Sequence, residues 1–439
     1  MTALTARIDR ACTRTLGLAA LVGALACGSG SPAGGPDAGP SPDAGSVPDA
    51  GPGTTDGGCI GADLVKSLGK TTLLVGGSFT DATAALAAFD VRYLYLAGGI
   101  ADGTGPCAAC ANSCTAGNSC VGGACSWWGC WQWDQDPAGP GQYIVGFAKK
   151  AKDRNQIPWV TYYELLQAAK TGEGAAEVAM ANDAAFLKRY LNDYRFFLQK
   201  LAGGPSFVHL EPDLWGYAQQ VNGDPDLVPA KVNAANPVDC AGLPDSFGGL
   251  GRCMIAMARK YAPEAKVGFH GSGWATKVDV TGSNDPNLDV AGEAGKLGAF
   301  LVKAGAGQGD FIAVDASDRD AGFYQSQGRN TSWDATNLTL PNFHRAFDWT
   351  RALAVAVGRP VIFWQVPLGN AAQGNTNDHW KDNRVDYFFA HTDELVGANV
   401  AGIFFGAGAG GQTTAETDGG NFVAKAKAYY AAGGRKICP

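Results

Sequence analysis

The residues best suited to chemistry in this chain are acids that end short apolar runs. Phe207-Val208-His209-Leu210 stops at Glu211-Pro212-Asp213, and Phe311-Ile312-Ala313-Val314 stops at Asp315, with Asp318 and Asp320 close behind. Residues 158–163 lead to Glu164, residues 266–269 to His270, and residues 360–364 to Gln365. Two carboxyl groups facing one bond divide the proton work. One protonates the leaving oxygen, and the other attacks carbon or activates water. Cleavage of a glycosidic bond needs that division. Glu211 is the first choice for the acid, since burial beside Trp215 and Tyr217 would raise its pKa toward the working range. Asp315 is the first choice for its partner and Asp213 the second. Asp213, Asp318 and Asp320 also fit helix caps or turns, which Asp often makes.

Eight apolar runs are predicted as strands: 72–75, 91–96, 158–164, 207–211, 266–270, 311–315, 360–365 and 400–405. Helical patterns separate them, at 81–89, 143–154, 183–201, 250–261, 291–304, 340–357 and 422–432. Strand and helix in alternation mean an α/β chain with a parallel sheet, and eight units mean a closed (β/α)8 TIM-type barrel. An open doubly wound sheet is the alternative, but no G-x-G-x-x-G follows the first strand. Such a barrel gathers its chemistry where strands end. Period-two alternation predicts Phe207, His209 and Glu211 facing inward, with Asp315 inward beside Ala313 and Gln365 inward beside Phe363. His209 reads equally as a satisfied core residue.

Aromatic residues fall at the same end. Trp127, Trp128, Trp131 and Trp133 lie in a cysteine-rich insertion (103–140) after the second strand. Trp215 follows the fourth strand, Trp274 follows the fifth and Trp364 closes the seventh. Flat, rigid rings bind the apolar faces of sugars at little entropic cost. The predicted substrate-binding set is Trp127, Trp128, Trp131, Trp215, Trp274 and Trp364, with His270, Gln365 and Glu164 as polar members. The expected partner is a polysaccharide or oligosaccharide. The insertion's tryptophans would otherwise fill a small core of their own. No second histidine stands at ligand spacing from His270, so neither metal nor cofactor is predicted. A metal-dependent deacetylase would need His270, Asp315 and Asp213 to converge.

The amino terminus reads as an export signal. Arg7, Arg10 and Arg14 precede an apolar run over 15–26 that ends Ala24-Leu25-Ala26-Cys27. Residues 1–26 are the predicted signal peptide. Cys27 followed by Gly28-Ser29-Gly30 fits a lipid-modified first residue, and Ala24-Leu25-Ala26 fits an ordinary secretory cleavage site. The protein is therefore expected to be a surface lipoprotein, or else secreted or periplasmic, with membrane contact only through Cys27. Residues 27–58 repeat Pro-Asp-Ala-Gly at 36, 42 and 48. That composition cannot bury enough apolar surface to order itself and predicts a tether. The barrel domain then spans 59–439. Its 46% hydrophobic composition supplies a core, while a net charge of −7 argues against nucleic acid as a partner. Twelve cysteines leave ten after the signal, an even number expected to form disulfides in an oxidising compartment. Six crowd the insertion, Cys240 and Cys253 bracket a loop, and Cys59 and Cys438 stand at the two ends of the folded part.

The barrel with an acid after its fourth strand resembles the large clan of retaining glycoside hydrolases, which place glutamates after strands four and seven. Here Gln365 stands at the seventh, and Leu210 rather than asparagine precedes Glu211. Leu210-Glu211-Pro212-Asp213-Leu214 and Gly268-Phe269-His270-Gly271-Ser272-Gly273-Trp274 resemble, in order, two segments of family-six cellulases, which invert. Glu-Pro-Asp is also found in exported polygalactosaminidase-like barrels. The resemblance implies an exported glycoside hydrolase acting on a polysaccharide, with inversion favoured. Its rival is a catalytically silent barrel that binds glycan at the cell surface.

Overall fold

The structure is a computed structural model that describes residues 59–437 apart from 99, 101–130, 132–140 and 170. The predicted signal peptide, the tether with Cys27, Cys438 and nearly all of the 103–140 insertion lie outside the described residues. Eight parallel strands close into one barrel in sequence order. They are β1 (Leu74–Gly77), β2 (Val91–Leu96), β3 (Ile157–Tyr162), β4 (Ser206–Leu210), β5 (Ala265–His270), β6 (Phe311–Asp315), β7 (Val361–Val366) and β8 (Val400–Phe405). Pairing of Leu74 with Gly402 through Gly77 with Phe405 joins β1 to β8 and leaves no open edge. The TIM-type expectation therefore holds, and the doubly wound alternative does not.

Side chains fill the barrel. Trp159 packs on Phe207, Phe311 and Phe404, with ring centroids 5.1, 4.9 and 5.1 Å away. Above this aromatic floor lie Thr161, His209, His270 and Trp364, whose ring sits 4.7 Å from His209. The opposite faces of the strands meet the helices. Tyr162 stacks on Phe197 of the helix Ala184–Leu201, which buries Phe186, Leu187, Tyr190, Leu191, Tyr194, Phe197, Leu198 and Leu201 at helical spacing. Asp183 caps that helix by accepting from the amides of Ala185 and Phe186 at 2.8 and 3.0 Å.

The facing expected for Phe363 and Gln365 in β7 is not observed, and the register with β8 already shifts between Val361 and Ile362. Phe363 faces the helix layer, 5.1 Å from Phe388, and Trp364 is the residue that points inward. The register with β8 shifts between Phe363 and Val366, and Gln365 takes φ 57°. A bulge of this kind re-aims the residues beyond it. The helix expected over 81–89 is limited to Asp81–Ala84. Shorter helices after β3, β4, β6 and β7 had no clear periodicity in the sequence, Leu214–Val221 among them. Cys240 and Cys253, which bracket a loop and were expected among the disulfide-forming cysteines, form a disulfide with each other. It ties the loop after β4 to the helix Phe247–Tyr261, and a link of this loop length is worth about 3 kcal/mol. Cys59 is also disulfide-bonded. No helix among the described residues is long and apolar enough to cross a membrane.

Candidate active site

Glu211 follows β4, and its amide still donates to Tyr162 O at 2.9 Å, continuing the ladder. Its side chain leaves the expected path. Oε1 accepts from the amides of Glu164 and Leu165 at 3.1 and 3.0 Å and from Tyr190 Oη at 2.7 Å. Tyr190 belongs to the helix layer, so Glu211 points between β3 and that layer rather than into the barrel mouth. The cause is local. Glu211 has φ 42°, which breaks the pleat that alternation assumes, at a position restricted further by Pro212. Burial drives its pKa up to about 8, against the opposing hydrogen bonds from Tyr190 and the two amides. Glu211 is completely buried, and Oε2 has no partner among the described residues.

Two residues on, the chain turns toward the mouth. Leu214 N donates to Pro212 O at 2.8 Å, and Asp213 between them has φ 68° and ψ −37°. This is a γ-turn of the rare positive-φ kind, a strain on the order of 1–3 kcal/mol that surrounding structure must hold. Trp215 supplies part of that hold, its Nε1 donating to Leu210 O at 3.0 Å. Asp213 faces His270, Asp315, Glu173 and Asp318 electrostatically. Burial raises its pKa to about 7; His270 pulls it down, and the three acids push it up.

Asp315 ends β6 inward, as alternation predicted, and its side chain is a quarter exposed. Its Oδ1 lies 3.3 Å from His270 Nε2, a contact less well aligned than a full hydrogen bond. Burial raises the Asp315 pKa, but the His270 contact, a backbone hydrogen bond and the Arg384 charge together outweigh it, and the carboxyl sits below its ordinary range. His270 thus contacts the carboxyl biased toward its ionised form, Asp315, while Asp213, biased toward its acid form, is reached by the charges of both. Such a divergence separates a proton donor from a proton acceptor.

No protein-family model matches the chain, and no curated protein matches it in sequence. Solved structures that it resembles include a modular endo-β-1,4-mannanase of glycoside hydrolase family 26 from Cellulomonas fimi, at 12% identity and a TM-score of 0.45, over 85% of this chain and 75% of that one. A xyloglucan-specific β-1,4-glucanase of family 5 from a ruminal metagenomic library shares 12% identity at a TM-score of 0.44, over 82% and 89%. A family 26 endo-β-1,4-mannanase from Bacillus sp. JAMB-750 shares 10% identity at 0.43, over 85% and 89%. At these identities the likeness is one of fold.

The remaining predicted residues divide by exposure. Trp274 is partly exposed and packs on Tyr217 at 4.7 Å, while Tyr217 Oη donates to Glu173 Oε2 at 3.1 Å. Gly216 makes room for this pair, because a Cβ there would lie 2.9 Å from the Trp274 ring. Trp364 is nearly buried against Tyr93, Tyr95, His209 and His270, forming the floor of the mouth and offering no free face. Trp215 and Trp131 are core residues, packed on Phe247 and Phe269 and on Phe196 and Phe197 respectively. Trp127, Trp128 and Trp133 lie outside the described residues. Glu164 is buried and accepts from Gly98 N at 3.2 Å. Gln365 is 6% exposed and lies against Gly408, where a Cβ would come within 2.1 Å of its Nε2. Asp320 ties loops together, accepting from the amides of Gly369 and Thr413 at 2.8 Å each.

Sequence reasoning missed Tyr95, Tyr163, Glu173 and Glu177. Tyr95 and Tyr163 both feel the charge of Asp213. Tyr95 shares a strand face with Tyr93 and was open to the same alternation argument. Glu177 gave no signal, because its short helix Ala175–Met180 reads as a solvated connection. Burial, then the charges of Glu211, Asp213 and Glu173, lift its pKa to about 8. Two grooves, of about 460 and 290 Å³, open beside Glu416 near the ends of β1 and β8, and neither is lined by Asp213 or Asp315. Among the described residues no three His, Cys, Asp or Glu side chains converge as a metal would require.

Proposed function

We propose that this chain is an exported glycoside hydrolase that cleaves a polysaccharide, with Asp213 as general acid and Asp315 as its carboxylate partner. The observation that carries the reading is a pair of carboxyl groups with pKa values pushed apart, Asp213 up to about 7 and Asp315 down, with Asp315 3.3 Å from His270. Asp213 protonates the leaving oxygen, and ionised Asp315 takes a proton from the attacking water. Inversion is favoured because Gln365, the residue before the last of β7, is not an acid. Glu211 has no place in proton transfer here, since its carboxyl is turned into the helix layer. Trp274 and Tyr217 supply the exposed sugar-binding face. The basic start, the apolar run and Cys27 support export and a lipid anchor, with 27–58 as tether.

Release of reducing ends from a panel of polysaccharides tests this. Asp213→Asn and Asp315→Asn are each expected to lower the rate by about 100-fold or more while the fold is retained. Unchanged rates in both variants would remove the assignment. Gln365 at the end of β7 favours a second reading, a barrel that binds glycan without cleaving it. Glycan binding with no reducing ends released from any substrate would establish that one.

A further inference from the structure

A file of polar side chains climbs the barrel interior from the aromatic floor to the mouth. Trp159 Nε1 donates to Thr161 Oγ1 at 3.0 Å, and Thr161 Oγ1 lies 3.2 Å from His209 Nδ1. His209 Nε2 lies 3.2 Å from His270 Nδ1, and His270 Nε2 reaches Asp315 at 3.3 Å. Successive strands β3, β4, β5 and β6 contribute in order. Trp159, Thr161 and His209 are fully buried and His270 is 1% exposed.

The two ends set the direction of this file. An indole N–H can only donate, so Trp159 occupies a lone pair of Thr161 Oγ1. Thr161 must then place its own proton, and His209 Nδ1 is the acceptor within reach among the described residues. His209 therefore carries its proton on Nε2 and donates to His270 Nδ1. His270 in turn carries its proton on Nε2, facing an Asp315 carboxylate that can only accept. The reverse order would strand the Thr161 hydroxyl proton without a partner inside the barrel, which is costly.

We propose that Thr161 and His209 are positioning residues that lock His270 as the Nε2–H tautomer aimed at Asp315. This rests on the role given to Asp315 above. The locked tautomer gives Asp315 a donor of fixed direction. Asp315 from β6 lies 3.3 Å from His270; the charges of Asp315 and Asp213 reach Tyr95 of β2, those of His270, Asp315, Glu173 and Asp318 reach Asp213, and that of Arg384 reaches Asp315. His209 is faced by Thr161, Trp159, His270 and the Trp364 ring. Burial, then His270, holds its pKa well below the usual histidine range, as a neutral relay member requires.

Imidazole ¹⁵N spectra of the full chain at pH 7 test the proposal without reference to catalysis. Signals of His344, His379 and His391 are removed one at a time by His→Asn replacement. The remaining two histidines are expected to show protonated Nε2 and bare Nδ1. Thr161→Val keeps the shape and deletes the hydroxyl. His209 should then share its proton between both nitrogens, and the acid limb of hydrolysis should move up by about one pH unit as Asp315 loses its oriented donor. Thr161→Ser should restore both. A proton on His270 Nδ1, or spectra indifferent to Thr161→Val, would overturn the relay. The expected tautomers in a protein that cleaves no glycan would uphold the relay and remove the hydrolase reading instead.

Discussion

Glu211→Gln separates two roles that the sequence alone could not separate. Glu211 is buried with its pKa raised from 4.5 to about 8, so folded protein holds a proton that unfolded chain has released. Between those two values the folded state binds more protons, and stability must fall as pH rises. The contribution is fully present below pH 4.5 and gone above about pH 8. At 1.36 kcal/mol per pKa unit the whole span is worth about 5 kcal/mol, of which about 3.5 kcal/mol is lost between pH 5 and pH 8. Glutamine imitates the protonated acid. Its carbonyl can still accept from Glu164 N, Leu165 N and Tyr190 Oη, and it cannot ionise. Any packing cost of the exchange is a constant offset across pH. Asp193 and Asp213 are also raised, to about 7 each, and slope both proteins alike, while Glu177, raised to about 8 partly by the Glu211 charge, slopes the variant less and so acts in the same direction as the exchange. Denaturant unfolding at pH 5, 6, 7 and 8 should therefore show the variant losing about 3.5 kcal/mol less than the parent over that range. Parallel curves would refute the buried neutral acid. Lost hydrolysis together with parallel curves would return Glu211 to the mouth as the proton donor.

Two further outcomes concern the reaction. The rate should peak below neutrality, because Asp213 must be protonated and loses its proton as pH rises through about 7, while Asp315 must be ionised and stays so down to below the ordinary carboxylate range. An optimum above pH 8 would contradict that assignment. Trp274→Ala should raise KM by about tenfold with kcat little changed, the loss of one aromatic platform worth roughly 1–1.5 kcal/mol, and an unchanged KM would exclude the Trp274–Tyr217 pair from binding.

Much of the barrel was legible because its strands are short apolar runs separated by amphipathic helices. The bounds of β2, β6 and β8 follow directly from their composition, and the inward direction of His209 and Asp315 follows from alternation. Connections with weak periodicity were less legible. The helices Leu165–Ala169 and Ala175–Met180 owe their burial to neighbours distant in the chain, so Glu177 read as a solvated acid. The tryptophans divided for a similar reason. Trp215 and Trp274 look alike as residues after strand ends, yet one fills the space between β4 and β5 helices and the other lies at the rim.

The sequence by itself determined that acids collect at one end of a closed parallel barrel, since strand order and the residues at strand ends are properties of the chain. Where each acid points was decided by the tertiary structure. Alternation assumes an unbroken pleat, and the pleat breaks at Glu211, Asp213 and Gln365, all with positive φ. At Glu211 the conformation is held by a tyrosine 21 residues away and by amides 46 and 47 residues away. No local pattern encodes such partners. They turn the Glu211 carboxyl aside into the helix layer, two residues before the chain reaches Asp213.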